Sequence, residues 1–363
     1  MKILEMISEL PDLYDDRATV HMLGAPGIGK SSLSKQVADI LGEKYGEPFG
    51  YVDVVMPTID APDIRGFLVP TKDEHGNATS YYTKSPIIQQ IEDTGLERGV
   101  LMLDEFAQAE MLTAKAAAQI ILDHKIGEHD IPEGWWVMMA SNRSKDKAGA
   151  NRMLSHIVNR VITVNVDSDI ESWSVWANNQ GVHPMTMAFA KARPGIIFTD
   201  EVPANADSPY ATPRSYTRAM TYLTRKAGTD LDGNLNMSLP SDPISNEVVS
   251  GYIGSGAASE LFAFLKVADI IPTIEEMLAD PERCKLPDGS RLDGAFAVSS
   301  MISHYANATN VDKLWIVCER LPVELQTSTA LTMLKSTGGK LMNSKALSDW
   351  ISRNRTLIST SMN

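Results

Sequence analysis

Nine consecutive residues, Gly24, Ala25, Pro26, Gly27, Ile28, Gly29, Lys30, Ser31 and Ser32, carry the chemistry that stands out first. They satisfy the spacing G-x-x-x-x-G-K-[ST], the signature of a loop that wraps a polyphosphate. Gly24 and Gly29 let the backbone curl tightly with its N–H groups turned inward. A helix starting at the end of the loop would add its positive dipole end. In that setting Lys30 reaches the β- and γ-phosphates and the Ser31 hydroxyl binds Mg²⁺. The plain alternative is a Gly-rich turn. The apolar run 19–23 before the loop and the amphipathic stretch 32–41 after it argue for the strand–loop–helix context that the motif needs.

Two further sets of residues complete a possible hydrolytic site. Val100 to Leu103 is apolar and is followed by Asp104 and Glu105. A buried strand that ends in two acids presents them at its C-terminal edge, where open α/β sheets bind ligands. Asp104 is then expected to hold Mg²⁺ through water, and Glu105 to act as general base on the attacking water. The second set is the apolar run 135–140, followed by Ser141, Asn142 and Arg143. A neutral amide at Asn142 can position a water near the γ-phosphate without competing for the cation.

These side chains need a parallel sheet to bring them together. Apolar runs at 19–23, 51–56, 100–103, 136–140 and 160–166 read as its strands, alternating with helical patterns at 32–41 and 110–124. Residues 66–82 and 125–136 each place turn residues between aliphatic or aromatic arms, and both read as hairpins. The expected fold class is therefore α/β: a P-loop NTPase core with a five-stranded parallel sheet and flanking helices, then an all-α region and a further, mostly helical C-terminal region. The expected domains are residues 1–168, 169–233 and 247–363. Between the last two, the Pro-, Ser- and Asn-rich stretch 234–246 reads as a linker, and helical patterns follow at 257–268, 274–278, 324–335 and 345–352.

Composition narrows the class. The chain has 363 residues, 43% hydrophobic and 22% charged, enough for several ordinary cores. Its net charge of −13 disfavours a general affinity for nucleic acid but leaves room for a local basic channel. Apolar runs are too short to cross a bilayer, and the acidic start MKILEMISEL lacks the basic region of a signal peptide, so a cytoplasmic protein without membrane contact is expected. Cys284 and Cys318 suit packing rather than a disulfide framework or a metal site.

Taken together, the motifs resemble those of AAA+ ATPases, and within them the MoxR-type branch. GAPGIGKS resembles Walker A, VLMLDE Walker B, and Asn142 the sensor 1 residue. NRMLSHIVNRVITVNV resembles the arginine-finger region, which places that role on Arg160 at the start of the last strand; Arg152 and Arg143 are rivals. ATPRSYTRAM resembles the sensor 2 segment of the lid and points to Arg214. The two hairpins resemble the helix-2 and pre-sensor-1 inserts, and Asp63 to Gly66, DIRG, resembles the approach to the first. The likeness covers about residues 1–230. It implies ATP as substrate, Mg²⁺ as cofactor, and a homo-oligomeric ring, usually a hexamer, in which an arginine of one subunit meets the γ-phosphate held by the next. A planar, permanently charged guanidinium suits that spread charge. The resemblance also implies a protein partner, often one carrying a von Willebrand factor A domain.

The leading functional reading is an ATP-driven remodelling or chaperone-like motor. A nucleic-acid motor or loader ranks second, because Lys72 and Lys84 in the first hairpin face Asp73 and Glu74, and Lys125 in the second faces Glu128, Asp130 and Glu133. Neither is the basic, aromatic-interleaved surface that grips a strand. A nucleotide-assembled scaffold with little turnover is third, opposed by the intact Glu105. A small-molecule kinase is weakest, since Asp104 and Glu105 suit water as nucleophile.

Overall fold

The computed structural model describes residues 1–143, 146, 153, 155–199, 202–203, 208–229, 235–289 and 291–355. The chain divides into two compact units: Met1–Ser168, and Asp169–Thr199 with the described residues from Pro203 onward.

The first unit runs α1 (Ile3–Asp15), β1 (Val20–Leu23), α2 (Lys30–Tyr45), β2 (Gly50–Val55), α3 (Ala61–Arg65), β3 (Leu68–Lys72), β4 (Ala78–Tyr82), α4 (Pro86–Asp93), β5 (Arg98–Asp104), α5 (Met111–Asp123), β6 (Lys125–Ile126), β7 (His129–Asp130), β8 (Gly134–Ser141), α6 (Ser155–Val158) and β9 (Ile162–Asn165). Five strands form one sheet in the order β2-β5-β8-β1-β9, every neighbouring pair parallel. This is the expected P-loop architecture of a parallel five-stranded sheet with flanking helices.

A parallel sheet is covered on both faces, so its inner strands are mostly apolar rather than alternating, with His21 and Ser141 as buried polar exceptions. Val20, Met22, Val100, Met102, Trp136 and Met138 pack with Met6 and Leu10 of α1 and Leu33, Val37 and Leu41 of α2. Leu101, Leu103, Trp135, Val137 and Met139 join the opposite core with Ile64, Ile87, Ile91, Ala116 and Ile120. The adjacent tryptophans thus enter opposite cores, as the two-residue period of a strand requires. Trp135 lies across Gly99 of the adjacent β5 and Gly50 of β2 beyond it; a Cβ at either glycine would stand 2.7–2.8 Å from its ring.

In the first unit the structure corrects the reading in three places. The second hairpin is only β6 and β7, while the tryptophans belong to the central strand β8, where two cores bury them completely. The last strand begins at Ile162, and Arg160 lies in the turn before it. The N-terminal segment, read only for targeting signals, forms α1, which buries Met6, Leu10 and Tyr14 at four-residue spacing. The first hairpin, β3 with β4, pairs Leu68 with Tyr82 through Lys72 with Ala78 as an antiparallel ribbon.

The second unit is helical: α7 (Ile170–Asn179), α8 (Pro184–Ala192), α9 (Pro194–Ile197), α10 (Pro213–Ala227), α11 (Pro243–Ile253), α12 (Ser255–Leu265), α13 (Ile274–Ala279), α14 (Leu292–Tyr305), α15 (Val311–Cys318), α16 (Val323–Ser336) and α17 (Lys345–Arg353). One core gathers Phe189, Tyr216, Met220, Leu223, Leu261 and Phe264. Another gathers Met301, Leu314, Trp315, Leu347 and Trp350, with both cysteines. The stretch read as a linker is partly helix: Asp242 caps α11, accepting from the Ser245 N–H at 3.1 Å, and Lys226 of α10 meets the same carboxylate at 2.8 Å. Among the described residues no helix is long and apolar enough to cross a membrane.

Candidate functional site

The site forms at the C-terminal edge of the sheet, where β1, β5 and β8 end side by side. Chain flow from β1 into α2 creates the loop. Gly27 and Gly29 adopt φ of 76° and 106°, a region that side chains rarely tolerate. Gly24 is needed for a different reason. A Cβ there would stand 2.5 Å from Ile28 Cδ1 and 2.7 Å from the Val166 carbonyl.

Lys30 is almost enclosed, 7% exposed. Its Nζ donates to the carbonyls of Gly24 and Ala25, each at 2.9 Å, and to Asn142 Oδ1 at 3.0 Å. These contacts hold the ammonium at the mouth of the loop. Ser31 Oγ donates to Asp104 Oδ2 at 2.5 Å, and Asp104 Oδ1 accepts from the Glu105 N–H at 2.8 Å. A hydroxyl against a carboxylate is a hard-oxygen pair, the donor chemistry Mg²⁺ prefers.

Glu105 follows with φ 54° and ψ 33°, a left-handed conformation uncommon for a side-chain-bearing residue. It turns the chain sharply out of β5, and its carbonyl accepts from the Gln108 N–H at 2.8 Å. A half-buried carboxyl at such a turn can face water while its backbone stays fixed.

The electrostatic surroundings were only partly legible. Burial, then the nearby Asp104, raises the carboxyl of Asp53 on β2 above its ordinary range. Tyr51, on the same strand, hydrogen-bonds Ser34 at 2.9 Å; burial pushes its phenol up to about 12. Beneath the site His21, whose imidazole burial pushes down to about 4, lies 3.0 Å from Ser141 Oγ. A polar residue inside an apolar strand was the available signal for His21. Nothing in the spacing marked Ser141, Tyr51 or Asp53.

Lys30, Ser31, Asp104, Glu105 and Asn142 are thus brought to one sheet edge. The arginines fare differently. Arg143 is committed within its own chain, its guanidinium meeting the buried Asp146 through two contacts of 3.1 Å. Arg152 lies outside the described residues. Arg160 is exposed in the turn after α6, with no side-chain ion pair among the described residues, and it is flanked by Val158 and Ile162, 46% and 39% exposed. Arg214 belongs to the second unit. It is exposed in the first turn of α10, behind Pro213 and a reciprocal Thr212–Ser215 cap.

No family model matches the chain, and no curated protein matches it. Solved structures show similarity. A Cytophaga hutchinsonii protein is 14% identical over 62% of this chain and 59% of that one, with a TM-score of 0.33. A mutant of Thermotoga maritima RuvB is 14% identical over 77% and 74%, with a TM-score of 0.36. NtrX of Brucella abortus in complex with ADP is 13% identical over 99% and 67%, with a TM-score of 0.33. The chain spans less than two thirds of the Cytophaga protein. Likenesses this distant carry no weight on activity.

Proposed function

We propose that the protein binds ATP in the loop 24–32 and hydrolyses it. The observation that carries this reading is the convergence of Lys30, the Ser31–Asp104 pair and Asn142 at one sheet edge, beside the Glu105 turn. Loop N–H groups and the start of α2 receive the phosphates, and Lys30 neutralises the β- and γ-oxygens. Ser31 and Asp104 would hold Mg²⁺, which supplies charge neutralisation when bound. Glu105 accepts a proton from the attacking water, and Asn142 orients that water.

The finer reading is a MoxR-like AAA+ ring, hexameric and acting on a protein partner as a remodelling or chaperone-like motor. Arg160 serves as the arginine presented to the neighbouring subunit's nucleotide. Its exposure, its lack of a side-chain ion pair among the described residues, and its flanking apolar Val158 and Ile162 support a role at a subunit contact. Arg214 is proposed as a nucleotide-sensing arginine.

Two variants test the hydrolytic assignment. Glu105→Gln is expected to keep ATP binding and to lower turnover by about 100-fold or more, since only the base is lost. Lys30→Ala is expected to weaken nucleotide binding itself. Normal turnover in the Gln variant overturns the choice of base.

A further inference from the structure

Ser141 makes three contacts that the roles above do not use. Its carbonyl accepts from the Gly24 N–H at 3.3 Å, tying the first glycine of the loop to β8. Its Oγ accepts from the Ala107 N–H at 3.1 Å, two residues beyond Glu105. The same oxygen lies 3.0 Å from His21 Nε2, on the strand that feeds the loop. Ser141 is 1% exposed and His21 2%, so none of these contacts can be exchanged cheaply for water. The register sets His21 opposite Met139 and Leu23 opposite Ser141, which places His21 and Ser141 on one face of the sheet.

We propose that Ser141, seated on His21, is a positioning residue that fixes the left-handed turn at Glu105 relative to the phosphate loop. The proposal rests on the hydrolytic reading. Glu105 leaves β5 in a left-handed conformation that side-chain-bearing residues seldom adopt, and such a turn persists only when its surroundings hold it. One restraint comes from Asp104, which accepts the Glu105 N–H and also faces Ser31. The other comes from Ser141, which takes the Ala107 N–H while its main chain holds Gly24. With both in place, the base and the phosphate-binding loop share one rigid frame. Losing the hydroxyl leaves the Ala107 N–H and His21 Nε2 without this partner, and frees the turn while the loop and Lys30 stay as they are.

The test is Ser141→Ala in the full chain, which removes one oxygen and adds no volume. Turnover and affinity for a non-hydrolysable ATP analogue with Mg²⁺ are measured beside hydrogen exchange at Ala107. Faster exchange at Ala107, a fall in kcat of about 10-fold or more, and analogue affinity within about 3-fold of the unaltered protein are expected. Unchanged kcat, or a loss of affinity equal to the loss of kcat, overturns the proposal; the second result assigns Ser141 a general structural role. If the unaltered protein shows no turnover, the hydrolytic reading fails and this inference falls with it. Turnover in the unaltered protein matched by Ser141→Ala removes this inference alone.

Discussion

Gly24 and Lys191 show how much a single position can carry. At Gly24 a methyl group has nowhere to go, because Ile28 and the Val166 carbonyl already stand within 2.7 Å of it. Gly24→Ala is expected to push the loop off the end of β9 and weaken nucleotide binding by about 10-fold or more, measurable by titration of a fluorescent ATP analogue. Lys191, on α8, donates to Thr332 Oγ1 at 3.2 Å. Burial pushes its ammonium down to about 8 from 10.5. Between those values the unfolded chain binds more protons than the folded one, so stability climbs with pH across the window and the burial penalty is fullest below it. Lys191→Met is expected to be more stable than the unaltered protein by about 1–2 kcal/mol near pH 7, with the gap closing towards pH 10. Urea unfolding at the two pH values checks this, and a gap that widens with pH would contradict it.

Among the elements, the hairpin β3–β4 is the most exposed, with Phe67 and Leu68 each 57% and Tyr81 52% accessible. It is anchored where Gly66, at φ 86°, passes the Thr83 carbonyl so closely that a Cβ would come within 1.9 Å. Gly66→Ala is expected to unseat the hairpin at its base and leave the sheet intact. Limited proteolysis should then cut within 67–83 while the melting of the sheet core barely moves. Strands β1, β5 and β8 were legible because burial on both faces leaves largely apolar runs, broken in β1 only by His21, and α2 because the loop motif requires a helix after it. The hairpins were legible as turns between apolar arms, but the boundary of the second was not. WW reads equally well as a hairpin arm or as a strand start, and only the sheet decides. The start of α11 was hidden by the turn-forming residues that cap it, Asp242 and Pro243. Lys30, Ser31, Asp104 and Glu105 could be singled out from motif spacing and the apolar run before the acids. Ser141 could not, since its role depends on which strands lie beside β8.

At the scale of the whole molecule, the proposed role of Arg160 would make the site complete only in company. An arginine that serves a neighbour's nucleotide makes activity depend on assembly, so turnover per subunit should rise with protein concentration. Arg160→Ala and Lys30→Ala proteins, each inactive alone, are expected to regain part of the activity when mixed, because some interfaces then pair an intact loop with an intact arginine. Absence of rescue at every ratio would exclude Arg160 from a trans role. The net charge of −13 adds a second expectation. Raising salt should favour assembly by screening repulsion between acidic subunits, whereas a nucleic-acid complex would weaken.

The ring of Trp135 over Gly50 and Gly99 has a consequence for folding errors. Parallel strands rich in Val, Leu and Met offer many nearly equivalent alignments, and a slip by one residue exchanges the two faces. Here a slip would bring Trp136 to the glycine pair from the wrong side and leave Trp135 without a recess. A bulky key and a two-glycine lock thus make one alignment fit and its neighbours collide, so the strands that lead to Asp104 and Asn142 are proofread at the far end of the sheet from those residues.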